Sequence, residues 1–173
     1  MPNLNLSDQA VLTDEAKSYL QHIRSTWKLF LYFWKNLPSA IWWGIKIKSA
    51  APDKAESTIP YNWRTRNPFR SIYFAALCGA GELATGVLAN LARLGRGDIS
   101  LLVLEQRAEF VKKATTLTTF TCDEGEKAFE AVRLAIETDE PQAVTMTATG
   151  QNTSGEVVCR VFITWTYKVR ATR

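Results

Sequence analysis

One carboxylate stands alone in this chain. Between Arg70 and Arg93 the only charged residue is Glu82, set in the run Ser71-Ile-Tyr-Phe-Ala-Ala-Leu-Cys-Gly-Ala-Gly-Glu-Leu-Ala-Thr-Gly-Val-Leu-Ala-Asn-Leu-Ala92. A carboxyl moved from water into apolar surroundings holds its proton more tightly unless it is paired. A general base or a carboxylate nucleophile is poised in this way. The competing role is structural: a glutamate bonded to Asn67, Tyr73 or a backbone amide, holding its segment in place. Arg64, Arg66 and Arg70 precede the run. Their guanidinium groups suit the phosphates of coenzyme A or the headgroup of an anionic lipid. They suit a solvated, salt-bridged face equally well, and one of them paired with Glu82 would weaken it as a base.

Other chemistries find little support. The single histidine, His22, would have to serve any Ser-His-Asp triad and most zinc sites. The three cysteines, Cys78, Cys122 and Cys159, are far apart and odd in number, which argues against a disulfide framework and for reduced thiols in the cytoplasm. Gly95-Arg96-Gly97 reads as a turn, because no phosphate-binding glycine motif accompanies it. The balance of 21 Lys+Arg against 17 Asp+Glu is too mild to argue for nucleic acid. Asp8, Asp14 and Glu15 interrupt the first 25 residues, so no secretory leader is expected.

The elements that must carry Glu82 follow from periodicity. Residues 7–40 read as a helical arm, with Ser7 as cap, Asp8 at the start, and Val11, Leu12, Tyr19, Ile23, Trp27 and Phe30 at helical spacing. Pro38 marks its expected end. Residues 27–43 are rich in Trp, Phe and Tyr with lysines interleaved. The preferred assignment packs them on the outer face of a sheet or on a partner subunit; the alternative is an interfacial membrane anchor. Residues 41–65 read as two short strands, Glu56–Arg64 being the second. The apolar run predicts one buried helix over 71–93, with Asn67 or Ser71 as cap and Gly95 beyond its end. Its length would also span a bilayer, but its three glycines, its many alanines, the central Glu82 and the strand-like neighbours favour a soluble core.

Leu101–Lys113 and Thr115–Cys122 then read as strands, and Asp123-Glu124-Gly125-Glu126 as a capping box opening a short helix with Phe129, Val132 and Ile136 on one face. Lys112 and Lys113, with Glu105 and Glu109, read as a solvated strand face. Val144–Thr149 is a further strand, and residues 151–155 a hairpin turn. The last strand is the clearest, with Val157, Cys159, Val161, Ile163, Trp165, Tyr167 and Val169 on one face. A helix too apolar to face water needs an antiparallel sheet curled around it, which gives an α+β fold.

The stretch Asn62-Trp-Arg-Thr-Arg-Asn-Pro-Phe-Arg-Ser-Ile-Tyr-Phe-Ala-Ala76 followed by Gly81-Glu-Leu-Ala-Thr-Gly86 resembles an uncharacterised branch of the hotdog-fold superfamily related to PaaI-like acyl-CoA thioesterases. The resemblance covers about residues 43–170. It implies a curved antiparallel sheet around a long central helix, with a helical arm at 1–42 and the hotdog domain at 43–173. It also implies an Asn matched by Asn67 and an in-helix acid matched by Glu82. Tyr73 stands where that family has His, and Phe74-Ala75 replaces Gly-Gly. Backbone amides at Tyr73 and Phe74 would polarise a thioester carbonyl. Two subunits would build each site, Asn67 and the helix start from one chain and Glu82 from the other. The expected function is binding, and hydrolysis, of an acyl thioester such as acyl-CoA by a cytoplasmic homodimer or tetramer that needs no cofactor or metal. The alternative is a non-catalytic acyl- or lipid-binding module, which the changes at Tyr73 and Phe74 favour.

Overall fold

The computed structural model describes residues 12–170, so Ser7, Asp8 and Val11 lie outside the described residues. The arm is three helices rather than one: α1 (Asp14–Arg24), α2 (Thr26–Asn36) and α3 (Pro38–Trp43). Thr13 caps α1, its Oγ1 accepting from Ala16 N at 3.2 Å. Ser25, in extended conformation, separates α1 from α2. α2 ends at Asn36, just before Leu37-Pro38, and Pro38 in turn opens α3. The residue before a proline is driven out of the α region, and proline itself suits a helix's first position.

Two short strands follow, β1 (Lys46–Ala50) and β2 (Ala55–Ile59). The second strand stops well before Arg64, because Asn62–Arg66 turns, with Thr65 N and Arg66 N donating to Asn62 O. The apolar run becomes α4 (Phe74–Arg93). It starts later than the sequence suggests: Tyr73 occupies the N-cap, and neither Asn67 nor Ser71 caps it. Beyond Leu94 the chain leaves through Gly95, whose φ of +69° needs glycine. A Cβ there would also lie 2.6 Å from Thr13 Oγ1, the atom that donates to Leu94 O and docks α1 on the end of α4.

The remaining elements are β3 (Ile99–Phe110), β4 (Thr118–Cys122), α5 (Gly125–Thr138), β5 (Gln142–Gln151) and β6 (Val157–Val169). All six strands form one antiparallel sheet in the order β1-β2-β4-β5-β6-β3. The sheet curves around α4, with β6, its longest strand, between β5 and β3. The expected capping box at α5 does not form. The Glu124 side chain stands at the N-cap without bonding a backbone amide of its helix; its carboxylate accepts from Thr147 N of β5 and pairs with the Lys127 ammonium. Gly125 is required by close approach, since a Cβ would lie 2.0 Å from the Pro52 carbonyl oxygen.

Buried hydrogen bonds fasten sheet to helix. Ser57 Oγ donates to Ala80 O at 2.6 Å, Trp165 Nε1 to Thr85 Oγ1 at 3.1 Å, and Tyr167 Oη to Ala89 O at 3.2 Å. Val161, Ile163 and Tyr167 are buried on that face of β6, as alternation requires. α4 is the one described helix long and apolar enough to cross a membrane, and most of it is buried inside the protein. The arm does not pack on the outer sheet face. It lies over the side of α4 that the sheet leaves open.

Candidate active site

The surface of α4 divides by its period. Ala80, Gly81, Ala84, Thr85, Leu88 and Ala89 are buried against the sheet. Gly79, Glu82, Leu83, Gly86, Asn90 and Arg93 recur every three or four residues on the other side and are only half-buried. The arm roofs this second stripe. Gly79 admits the Trp43 ring, since a Cβ would be 3.3 Å from Cζ3. Gly86 leaves room between Glu82 and the Trp165 indole, 3.1 Å from Oε1 and 3.3 Å from Cζ2 by the same measure.

Between arm and helix lies a cavity of about 440 Å³, walled by Leu29, Phe33, Leu37, Ile47, Val87 and Trp165. Glu82 lines it. Burial holds the Glu82 carboxyl above the usual carboxylate range. Among the described residues no hydrogen bond or ion pair reaches that carboxyl. The structural alternatives drawn from sequence, a bond to Asn67 or Tyr73 or a pair with an arginine, are therefore not formed. The polar groups that share the cavity come from the arm and from Asn90: Tyr19, His22, Lys28, Tyr32 and Asn36. Burial also raises Tyr19, against a smaller lowering by the Asn90 side chain.

His22 is remote in the chain from Glu82, yet the fold brings it to the same cavity. Its Nδ1 lies 2.7 Å from Ser18 O. A proton on Nδ1 satisfies that carbonyl and leaves Nε2 as the acceptor in the neutral ring. Its only advance signal was its place one turn after Tyr19 on a helix with a buried stripe of Ala16, Leu20 and Ile23.

The start of α4 forms a second, separate cavity of about 510 Å³, lined by Asn67, Tyr73, Phe74, Leu77, Phe110 and Lys113 among others. Phe74 and Glu82 are eight residues apart on one helix, about 12 Å along its axis. Asn67 organises its own loop: Oδ1 accepts from Phe69 N at 3.0 Å and Ser71 N at 3.2 Å, and Nδ2 donates to Ser71 Oγ at 3.1 Å. The Tyr73 amide donates to Thr65 O at 2.7 Å. That amide is already used, so the open donors of the helix start begin at Phe74. The Tyr73 and Phe74 rings meet edge-on at 4.8 Å and hold the loop against Phe110.

Arg64 lines a cleft between α2 and β1. Arg66 and Arg70 sit on the exposed loop before α4, and Arg70 takes a φ of +59° at its tip. Lys112 and Lys113 are exposed, Lys112 pairing with Glu156 and Lys113 donating to Phe69 O. Cys78, Cys122 and Cys159 are buried and unbridged, and burial pushes the thiols of Cys122 and Cys159 up to about 12.

A family model described as a domain of unknown function, DUF4442, matches residues 33–167. A comparison with curated proteins finds no match. Solved structures do match in fold. A protein of unknown function from Chlorobaculum tepidum superposes with a TM-score of 0.70 at 13% identity, covering 90% of this chain and 94% of the other. A Pseudomonas aeruginosa protein described as a probable thioesterase gives 0.68 at 16% identity, covering 86% and 99%. A thioesterase of Haemophilus influenzae gives 0.59 at 15% identity, covering 83% and 90%. The shared architecture is the hotdog fold expected from the sequence.

Proposed function

The chain belongs to the DUF4442 family, and we propose that it binds an acyl thioester and hydrolyses it with Glu82 as the base or nucleophile, a reading supported by the thioesterases among the proteins that share its fold. The carrying observation is the carboxyl itself: desolvated, unpaired and at the wall of an apolar cavity of about 440 Å³. Such a cavity suits an acyl chain, since small-molecule sites are largely apolar with a few placed polar groups. In the proposed step Glu82 takes a proton from water, and the hydroxide attacks the thioester carbonyl. An amide of the α4 start, beginning at Phe74, holds the oxyanion. The C–S bond breaks, the proton passes to the thiolate, and a carboxylic acid and a thiol leave. Attack by the carboxylate itself, through an anhydride that water then opens, uses the same groups.

Glu82 and the start of α4 occupy two cavities of one chain, so this chemistry requires a second copy to bring them together. β3 supports that assembly, being a long edge strand with Leu102 and Leu104 exposed. Arg64, Arg66 and Arg70 are assigned to the phosphates of the carrier, coenzyme A in the first instance. A cytoplasmic setting with reduced thiols, and the division into an arm, 1–42, and a hotdog domain, 43–173, belong to the same reading. No cofactor or metal enters the proposed step.

A second reading is favoured by one observation: the Asn67 side chain and the Tyr73 amide are both engaged within the loop. With those donors committed, the fold serves as an acyl- or lipid-binding module without turnover. An acyl-CoA panel separates the two. Hydrolysis by the wild type, lowered at least about tenfold in Glu82→Gln and impaired in Asn67→Ala, supports the enzyme. Equal rates in folded wild type and Glu82→Gln reject Glu82. Tight binding without turnover supports the module.

A further inference from the structure

Helix α2 has two apolar faces. The inner one, Leu29 and Phe33, belongs to the core. The outer one is Trp27, Phe30, Leu31 and Trp34, spaced i, i+3, i+4 and i+7 and 64%, 51%, 53% and 67% exposed. A one-faced helix would carry polar residues there. Lys28 and Lys35 stand about 20° apart on the wheel along one border of this stripe, and the Lys28 ammonium lies 5.9 Å from the centre of the Trp27 ring.

The charge around the stripe has one sign. Residues 16–52 contain no Asp or Glu, while they carry Lys17, Arg24, Lys28, Lys35, Lys46 and Lys48. Next to Phe30, between α2 and β1, opens a cleft of about 640 Å³ whose charged lining is Arg24, Lys46, Lys48 and Arg64. Lys48 reaches Glu56 at 3.2 Å. Among the described residues Arg24, Lys46 and Arg64 form no ion pair.

We propose that the outer face of α2 and this basic cleft dock the protein on an anionic lipid bilayer. Trp27, Phe30, Leu31 and Trp34 enter the boundary between headgroups and acyl chains. Lys28 and Lys35, with the cleft cations, meet the lipid phosphates. Indole and phenyl rings beside lysines are the side chains that settle at that depth. The surface potential of anionic lipids favours each added cation. A second copy of this chain is the poorer occupant. A two-fold contact would set this cationic patch against itself, with the Glu56 carboxylate beside Lys48 already engaged. The proposal does not depend on the acyl-thioester reading, because it needs neither Glu82 nor turnover.

Co-sedimentation of the full chain with vesicles tests it, using phosphatidylcholine alone and phosphatidylcholine with phosphatidylglycerol. Binding to the anionic vesicles, with a blue shift of tryptophan emission and loss at high salt, is the expected result. The double variant Trp27→Ser/Trp34→Ser should partition at least about tenfold less onto anionic vesicles. Lys28→Glu/Lys35→Glu should lose a similar factor there and little on neutral vesicles. All these side chains are exposed, and circular dichroism checks the fold. Should the tryptophan variant misfold, the lysine variant decides. Failure of the wild type to bind anionic vesicles overturns the proposal, as does undiminished binding by both variants. So does a tryptophan variant whose light-scattering mass drops to the monomer from a larger wild-type assembly, which would make the stripe a self-association face.

Discussion

The indole N–H of Trp165 donates to Thr85 Oγ1 at 3.1 Å, and Thr85 Oγ1 in turn donates to the Glu82 carbonyl at 2.9 Å. The bond joins β6 to the turn of α4 that bears the lone carboxylate. The same indole walls the Glu82 cavity. One buried polar contact therefore ties the sheet's longest strand to the position of the proposed base.

Thr85→Val removes the acceptor and keeps the shape. A buried indole N–H left without a partner costs about 1–3 kcal/mol. Urea denaturation should show a loss in that range, and Thr85→Ser should recover most of it. An unchanged midpoint in Thr85→Val would show the bond to be dispensable.

Gly81 meets Val161 so closely that a Cβ would lie 2.6 Å from Cγ2. Alanine in place of glycine gains up to about 1 kcal/mol of helix propensity. Overpacking a core costs about 1–3 kcal/mol. The clash is with a β-branched side chain held at 0% exposure in a central strand, so the cost wins. Gly81→Ala is expected to lower the thermal midpoint, and a rise would place helix and strand farther apart than described.

Glu82 links stability to pH. Its folded carboxyl holds the proton above the usual carboxylate range because of burial. A group with a raised folded value stabilises the fold below its unfolded value. That contribution is lost as pH rises through the folded value. Glu82→Gln cannot ionise, so its midpoint should exceed the wild type's by more at pH 8 than at pH 4. His22, Lys28, Tyr19 and Tyr32 face the same cavity from the arm, and Arg93 of α4 acts on Tyr19. Repeating the pair in a His22→Gln background controls for the histidine on the same cavity. A difference that does not vary with pH would mean that Glu82 sits in water.

The β3 edge predicts self-association. Leu102 and Leu104 are exposed on a strand that has no neighbour on its outer side among the described residues. Light scattering at micromolar concentration should give at least a dimer, and Leu102→Lys/Leu104→Lys should shift it toward the monomer. A monomeric wild type would leave Glu82 and the α4 start unjoined and remove the two-subunit site.

What the sequence determined by itself was everything that repeats locally. Alternation from Val157 to Val169 specifies a half-buried strand, because side chains two apart share a face. The run around Glu82 specifies a buried helix, because no face of it tolerates water. Ser25 and Leu37-Pro38 were harder to read, since a broken and an unbroken helix carry nearly the same apolar spacing. Only tertiary packing decided what lies opposite what. Glu82 met His22 and Tyr19, 60 or more positions earlier in the chain, because the arm folds back over the stripe of α4 that the sheet leaves open. Arg64 came to line a cleft between α2 and β1 because the chain turns at Asn62. Asn67 was drawn into its own loop by amides two and four residues on. Periodicity reports which face of an element is buried; the partner on that face is set by chain reversals whose geometry depends on the whole core.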